Sequence, residues 1–344
     1  MSNPTKPSPT AASSNSSKSA PTFALRSGLR AAFILLLAAP LLAQPQNIAL
    51  EQPSAPGIVS AKLLLGLPEI APNSAGLLSF DSANLRFAVG PVDVLIPRQR
   101  ILSISSGDER IETGGTTGRV ARMVIPYGGG LALGAVTHKK VGLLTVEFLD
   151  PTGQYHGAVF VLSPEDTAST VEALDRRLPT VYAPPPAPPA VCTVAHLEEN
   201  AVRVELIGAD LQSAFPPEDR VLLYEHLIDQ LKSEKTPLTV YRAGDRSPAA
   251  QCAEFTLKVQ AVAFNKGDQA VRASVGPLGH FVGTTKLKYR LTVTTQSGTL
   301  LLDDDMKKSQ GSDSDSLNVT KGISKAVVKS LEKSRKQLRR TQSA

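Results

Sequence analysis

The chain has 344 residues, 42% hydrophobic and 20% charged, a balance that supports folded cores and excludes a wholly disordered protein. Aromatic residues make up 5% and Trp is absent, so the cores must rest on Leu, Val, Ile and Ala. The formal charge is +6, but Lys6, Lys18, Arg26 and Arg30 all precede the first acid, Glu51, and subtracting those four leaves +2. Much of that excess sits at Arg335, Lys336, Arg339 and Arg340. A surface of interleaved basic and aromatic residues is not visible, so the expectation is no nucleic-acid partner.

The N-terminus reads as an address. Residues 1–19 are mostly Ser, Thr, Pro, Asn and Ala and offer little to pack. Arg26 and Arg30 then lead into the apolar run 31–39, followed by Pro40, Leu41, Leu42 and Ala43. A positive lead, an apolar stretch of about a dozen residues and a small terminal residue describe a cleavable signal peptide over 1–43. A spanning helix needs roughly 20 apolar residues, so the processed form is expected to have no transmembrane helix. No Cys follows the run to carry a lipid anchor. The expected location is the periplasm or the exterior.

Residues 44–57, with Pro45, Pro53 and Pro56, read as a tether. The stretch 181–190 holds five prolines and favours polyproline II, a semi-rigid spacer. It separates a β domain at 58–180 from an α+β domain at 191–338, with a basic tail at 339–344. Length alone also points to about two domains.

In the first domain, strands are expected at 77–80, 85–89, 92–96, 101–105, 120–125, 131–137, 141–149 and 155–162. Asp81, Ser82, Ala83 and Asn84 make a polar turn. Asp150, Pro151, Thr152 and Gly153 place proline second and glycine fourth in a hairpin turn. Ser163, Pro164, Glu165 and Asp166 open a helix with a cap, a proline at the first position and acids at the positive dipole end. Pro179 marks its end.

Residues 76–80, 85–87, 96–101, 140–148 and the 163–178 helix together resemble the pleckstrin-homology-like superfold, GRAM-type bacterial members included. The resemblance implies an antiparallel β barrel or sandwich closed off by a C-terminal helix. The turn at Asp81–Asn84 lacks the basic cluster with which lipid-binding members hold inositol phosphates, so phosphoinositide binding is not implied. The helix also lacks the Trp usual in eukaryotic members.

The second domain is expected to run strand (202–207), amphipathic helix (217–233), strand (238–241), two longer strands (255–264 and 286–294) and a helix (316–338). That order makes a small α+β sandwich. The stretch 223–333 resembles the domain shared by curli-secretion lipoproteins, the N-terminal part of TolB and activator lipoproteins of peptidoglycan synthases. A related family of exported bacterial proteins is similar as well. The lipidation cysteine of the lipoproteins is missing.

Cys192 and Cys252 are the only cysteines, and in an oxidising setting they read as one disulfide, with two buried free thiols as the alternative. His138, His156, His196, His226 and His280 are scattered and form no metal-ligand or catalytic spacing. The glycine clusters at 114–118 and 128–134 miss the spacing of phosphate or dinucleotide loops and are assigned to loops and bends. Ser330 and Lys333 spell a Ser-x-x-Lys tetrad without its companion motifs. Asp303, Asp304 and Asp305, with Asp313 and Asp315, are the best calcium candidates. The plainer reading is a solvated turn before a helix cap. Lys286, Lys288 and Arg290 share one strand face that could meet an acidic partner.

No catalytic residues, cofactor or metal are assigned. The expected function is a non-catalytic cell-envelope protein that binds other envelope macromolecules through an envelope protein partner. The alternative is a periplasmic protein that binds a small ligand or lipid, and an enzyme ranks third.

Overall fold

The computed structural model describes residues 57–112, 138–175, 192–193, 196–210, 214–233, 238–267, 284–310 and 318–342. The expected leader, the Pro-rich segment, the strands at 120–125 and 131–137 and both glycine clusters lie outside them. Every described residue belongs to one compact unit within Pro53–Ala344. Among the described residues no helix is long and apolar enough to cross a membrane.

The fold is mixed α+β with mostly antiparallel pairing. The first sheet contains β1 (Gly57–Leu65), β2 (Ala75–Phe80), β3 (Asn84–Val89), β4 (Val92–Pro97), β5 (Ile101–Glu112), β6 (His138–Leu149) and β7 (Tyr155–Leu162). Their order is β4-β3-β2-β1-β7-β6-β5, antiparallel throughout. Among the described residues β4 and β5 remain edges that do not pair with each other, so the expected barrel is not closed. β1 is a further difference: it occupies residues for which no strand was expected, beginning at Gly57 inside the expected tether. Its register with β7 (Lys62 with Val161, Leu63 with Phe160) joins the two halves of the sheet.

Alternate residues point into one core, where Leu63, Leu78, Leu85, Phe87, Val146 and Phe160 are buried. The helix α1 (Pro164–Asp175) follows β7. Its expected cap forms: the Ser163 hydroxyl accepts from the Asp166 amide (3.0 Å) and donates to the Asp166 carboxylate (2.8 Å). At the other end Arg98, from a short 3-10 turn, is 1% exposed and donates to the Leu174 carbonyl (2.7 Å) and the Asp81 carbonyl (2.9 Å). A guanidinium at a helix C-terminus satisfies an orphan carbonyl and complements the dipole.

The second sheet contains β8 (Glu198–Val204), β9 (Gly208–Ala209), β10 (Thr239–Tyr241), β11 (Ala253–Asn265), β12 (Thr285–Thr295) and β13 (Leu300–Gln310). The order is β10-β8-β11-β12-β13, with β9 beside β11. β8 runs parallel to β10 and β11, as a crossover through α2 (Pro217–Leu231) requires. A one-turn helix α3 (Pro248–Gln251) precedes β11, and α4 (Asn318–Gln342) closes the chain. The basic residues Arg339 and Arg340 are therefore helical and not a separate tail.

β13 corrects the reading of Asp303–Asp305 as a solvated turn. These residues pair with Arg290, Leu291 and Thr292 of β12, and Arg290 meets the Asp303 carboxylate through two donors, at 2.7 and 2.5 Å. The turn lies earlier, at Gly298, whose φ of +83° favours glycine.

The two sheets are not separate bodies. α2 buries residues on two sides: Val221 and Leu222 pack with Leu65, Leu143 and Val159 of the first sheet. Leu223, Tyr224, Leu227, Ile228 and Leu231 belong to the core of the second. Gly157 on β7 permits this approach, because a Cβ there would lie 2.5 Å from Val221 Cγ1.

Candidate functional site

At the corner where β4 gives way to β5, the first sheet opens into a cleft of about 450 Å³. Its walls come from the segment after β1 (Leu67, Pro68), from Val94 and Leu95 of β4, and from Phe148 at the end of β6. Leu95 is 55% exposed, and β4 has no strand on its outer side among the described residues. Pro97 ends the strand and Arg86 pairs with Asp93 (2.7 Å), so charge and proline guard its ends while its middle stays apolar.

The polar floor is His156 and Asp150. The His156 ring stacks on Phe148, with centroids 5.6 Å apart, and its Nε2 lies 3.4 Å from Asp150 Oδ2. Burial pushes the His156 pKa down to about 4, the positive Arg242 adds to this, and Asp150 opposes it. The ring is therefore neutral near pH 7. Burial would raise the Asp150 pKa, but the Thr152 hydroxyl and the amides of Gln154 and Thr152 outweigh it and hold the carboxyl below its usual range. The Nδ1 of His156 is buried with no hydrogen-bond partner among the described residues. No hydroxyl or thiol is hydrogen-bonded to this ring among them, so the pair can orient a polar group of a bound molecule but does not form a nucleophile–base set. Among the described residues no group of three or more His, Cys, Asp or Glu is placed to hold a metal ion.

The other residues singled out in the sequence lie elsewhere. Cys192 and Cys252 form a disulfide with Cα atoms 5.3 Å apart, tying the segment before β8 to the start of β11. Lys286, Lys288 and Arg290 are exposed on the outer face of β12, where Arg290 is engaged by Asp303. A polar hollow of about 510 Å³ lies on the second sheet between Glu205, Lys258 and Thr292. His226 bonds Thr320 (3.0 Å) and its pKa falls to about 4, first through burial and then through the nearby Lys321. His138 and His280 side chains lie outside the described residues.

Sequence reasoning missed the polar wiring between the sheets. Arg242, in the loop after β10, meets both oxygens of Glu225 on α2 (2.9 and 2.7 Å) and the Tyr155 carbonyl (3.0 Å). Glu225 also accepts from the Gly157 amide (3.1 Å). Burial pushes the Glu225 pKa up, opposed by the Arg242 fork; burial also lowers the Arg242 pKa, but the Glu225 carboxylate outweighs it and holds the guanidinium above its usual range. Glu147 of β6 accepts from Tyr155 (2.7 Å), Ser103 (2.9 Å) and Arg220 (2.5 Å). The one available signal was the run Val221–Tyr224, four successive apolar residues, which is wider than a single helix face needs.

No protein-family model matches the sequence, and no curated protein matches it.

Proposed function

We propose that this is an exported, non-catalytic protein of the cell envelope that binds a protein partner, with the first sheet as the binding module. The leader-like segment at 1–43 supports the periplasm or the exterior as its location. The first sheet is read as pleckstrin-homology-like, supported by seven antiparallel strands followed by a single helix. The second is read as a relative of the curli-secretion and TolB N-terminal domains, supported by its strand–helix–strand start and terminal helix.

The observation that carries the binding function is the outer edge of β4, unpaired among the described residues, beside an apolar cleft. An unpaired edge offers a row of backbone donors and acceptors, and an extended peptide can add to it as a strand. Alternate side chains of that peptide would enter the cleft against Leu95 and Phe148. The test is capture from envelope extract with the wild-type chain and with Leu95→Lys, which puts a charge on the edge. Hydrogen exchange on the recovered complex then locates the contact. Capture lost in the variant, with slowed exchange at 92–97, is the expected result; equal capture by both refutes it.

The volume of the cleft also falls in the range of small-ligand pockets. If native mass spectrometry finds a lipid or metabolite that Leu95→Lys releases, the small-ligand reading replaces the peptide one.

A further inference from the structure

We propose that the outward face of α4 is a docking surface for an anionic lipid bilayer. The helix carries eight Lys and Arg against the single acid Glu332, a charge of +7. The whole chain carries +6, so everything outside this helix sums to −1. Lys321, Lys325, Lys329, Lys333, Lys336 and Arg340 are all exposed and, at 3.6 residues per turn, fall within an arc of about 120°. They form a row about 28 Å long. Among the described residues none of the six is in an ion pair.

The fold gains nothing from this row. α4 is held by Val319, Ile323, Val327 and Leu331 on its opposite side, each fully buried. The basic residues that serve packing are others: Arg335 bonds the Asn200 side chain (2.7 Å) and lies over the Phe255 ring, and Arg339 reaches the same Asn200 oxygen. The exposed row contains four like-charged pairs at i,i+4, an arrangement that destabilises a helix. Lys321 also stands in the first turn, where the dipole disfavours a cation. Glu332 falls within the same arc and gives Lys336 one favourable i,i+4 partner, but against six cations it leaves a surplus that nothing else among the described residues matches and that calls for negative charge from outside the helix.

The chemistry of the row selects the partner. No apolar or aromatic side chain lies between the lysines, so the face is suited neither to stacking on bases nor to inserting into acyl chains. Five of the six are Lys, compact charges without the fork that reads a single phosphate or carboxylate. A straight row on a rigid helix meets a flat, diffusely charged surface along its whole length. The choice of lipid over nucleic acid rests on the export reading, because an exported chain meets anionic leaflets.

The test measures partition of the full chain onto vesicles of phosphatidylglycerol mixed with phosphatidylcholine, and onto phosphatidylcholine alone. The apolar run at 31–43 would favour both kinds equally, but the four cations before it favour the anionic kind, so the readout is the part of the anionic preference that the α4 variant removes. We expect a preference for the anionic vesicles that fades with added salt. Lys325→Gln/Lys329→Gln/Lys333→Gln should weaken it about 100-fold, at roughly fivefold per lysine. Lys62→Gln/Lys258→Gln/Lys307→Gln removes the same charge elsewhere on the exposed surface and should preserve it. Equal partition to both vesicles, or equal loss in the two triple variants, overturns the proposal. Tighter binding to duplex DNA than to the anionic vesicles, lost in the α4 variant alone, assigns the face to nucleic acid instead and also overturns it. None of these results depends on where the protein resides, so they leave the export reading to its own test.

Discussion

Removing the Arg242 guanidinium should weaken the joint between the two sheets. Arg242 and Glu225 are 6% and 4% exposed, and the arginine supplies two of the three recorded bonds to the carboxylate as well as one to the Tyr155 carbonyl. In Arg242→Ala a buried carboxylate keeps only the Gly157 amide, and breaking a buried pair from one side costs about 3–5 kcal/mol. With a urea slope of about 2–3 kcal/mol per molar, the unfolding midpoint should fall by about 1.5 M. The chain has six Tyr and no Trp, so far-UV circular dichroism is the natural probe, with tyrosine emission as a second. A single shared transition is expected before and after the change, because α2 belongs to both cores. A loss below about 1 kcal/mol, or two separate transitions in the wild-type chain, would refute the reasoning. The companion Glu225→Leu/Arg242→Met removes both charges at similar volume and should recover most of the loss. If it does not, the cost lay in packing rather than in charge.

Four further outcomes follow from the same structure. Reducing the Cys192–Cys252 bond, which closes a separation of 60 residues, should cost about 4 kcal/mol in the chain-entropy model, read as a lower urea midpoint with reductant. His156 and His226 both have folded pKa values near 4 against 6.5 when unfolded, so the unfolded chain binds more protons between those values and stability falls with pH. The loss should reach about 2 kcal/mol each by pH 5, above the range where the depressed Asp150 is protonated, and His156→Gln/His226→Gln should flatten the profile of midpoint against pH. Gly157→Ala should destabilise by about 1–3 kcal/mol, since its Cβ would press on Val221; a neutral result would mean that α2 sits farther from β7. Lys329→Glu turns two repulsive i,i+4 pairs into attractive ones and the attractive i,i+3 pair with Glu332 into a repulsive one, so it should stabilise the chain by only about 0.5 kcal/mol while weakening its binding to anionic vesicles.

What was legible in the sequence was local. The β6–β7 hairpin with its turn at Asp150–Gly153, the cap at Ser163 and the alternation of Leu287, Tyr289, Leu291 and Val293 each declare themselves within a dozen residues. The Gly153 amide does bond the Asp150 carbonyl (3.0 Å), as that turn demands. β13 was misread because three aspartates look like solvent-facing loop. Their charge is tolerable there because β13 is an edge strand and Arg290 answers Asp303 across it. β1 was overlooked because Gly57 and the prolines just before it look like a tether, while the β7 partner that fixes its place in the sheet, Val159–Val161, lies far along the chain.

The cleft and the joint between the sheets were illegible for a deeper reason. The hairpin register already sets Phe148 opposite His156 with Asp150 in the turn beside them, but nothing in the sequence shows that Leu67, Pro68 and β4 will come over this corner to make a cleft. Glu225 likewise reads as an ordinary surface position on an amphipathic helix. It is buried because α2 has apolar residues on two sides, and the second side exists only once β7 arrives with a glycine at 157. A carboxylate carried into that gap must be met by a cation, and Arg242 is the residue the β10 crossover brings there. The ion pair is thus a consequence of the docking rather than its main driving force, which is the burial of Val221 and Leu222. Its contribution is orientation: only one placement of α2 on β7 satisfies Glu225, Arg242, the Gly157 amide and the Tyr155 carbonyl together. The double apolar variant should therefore hold the sheets together yet let α2 shift along β7, visible as faster hydrogen exchange at Gly157 than in the wild type; unchanged exchange there would show that packing alone sets the register.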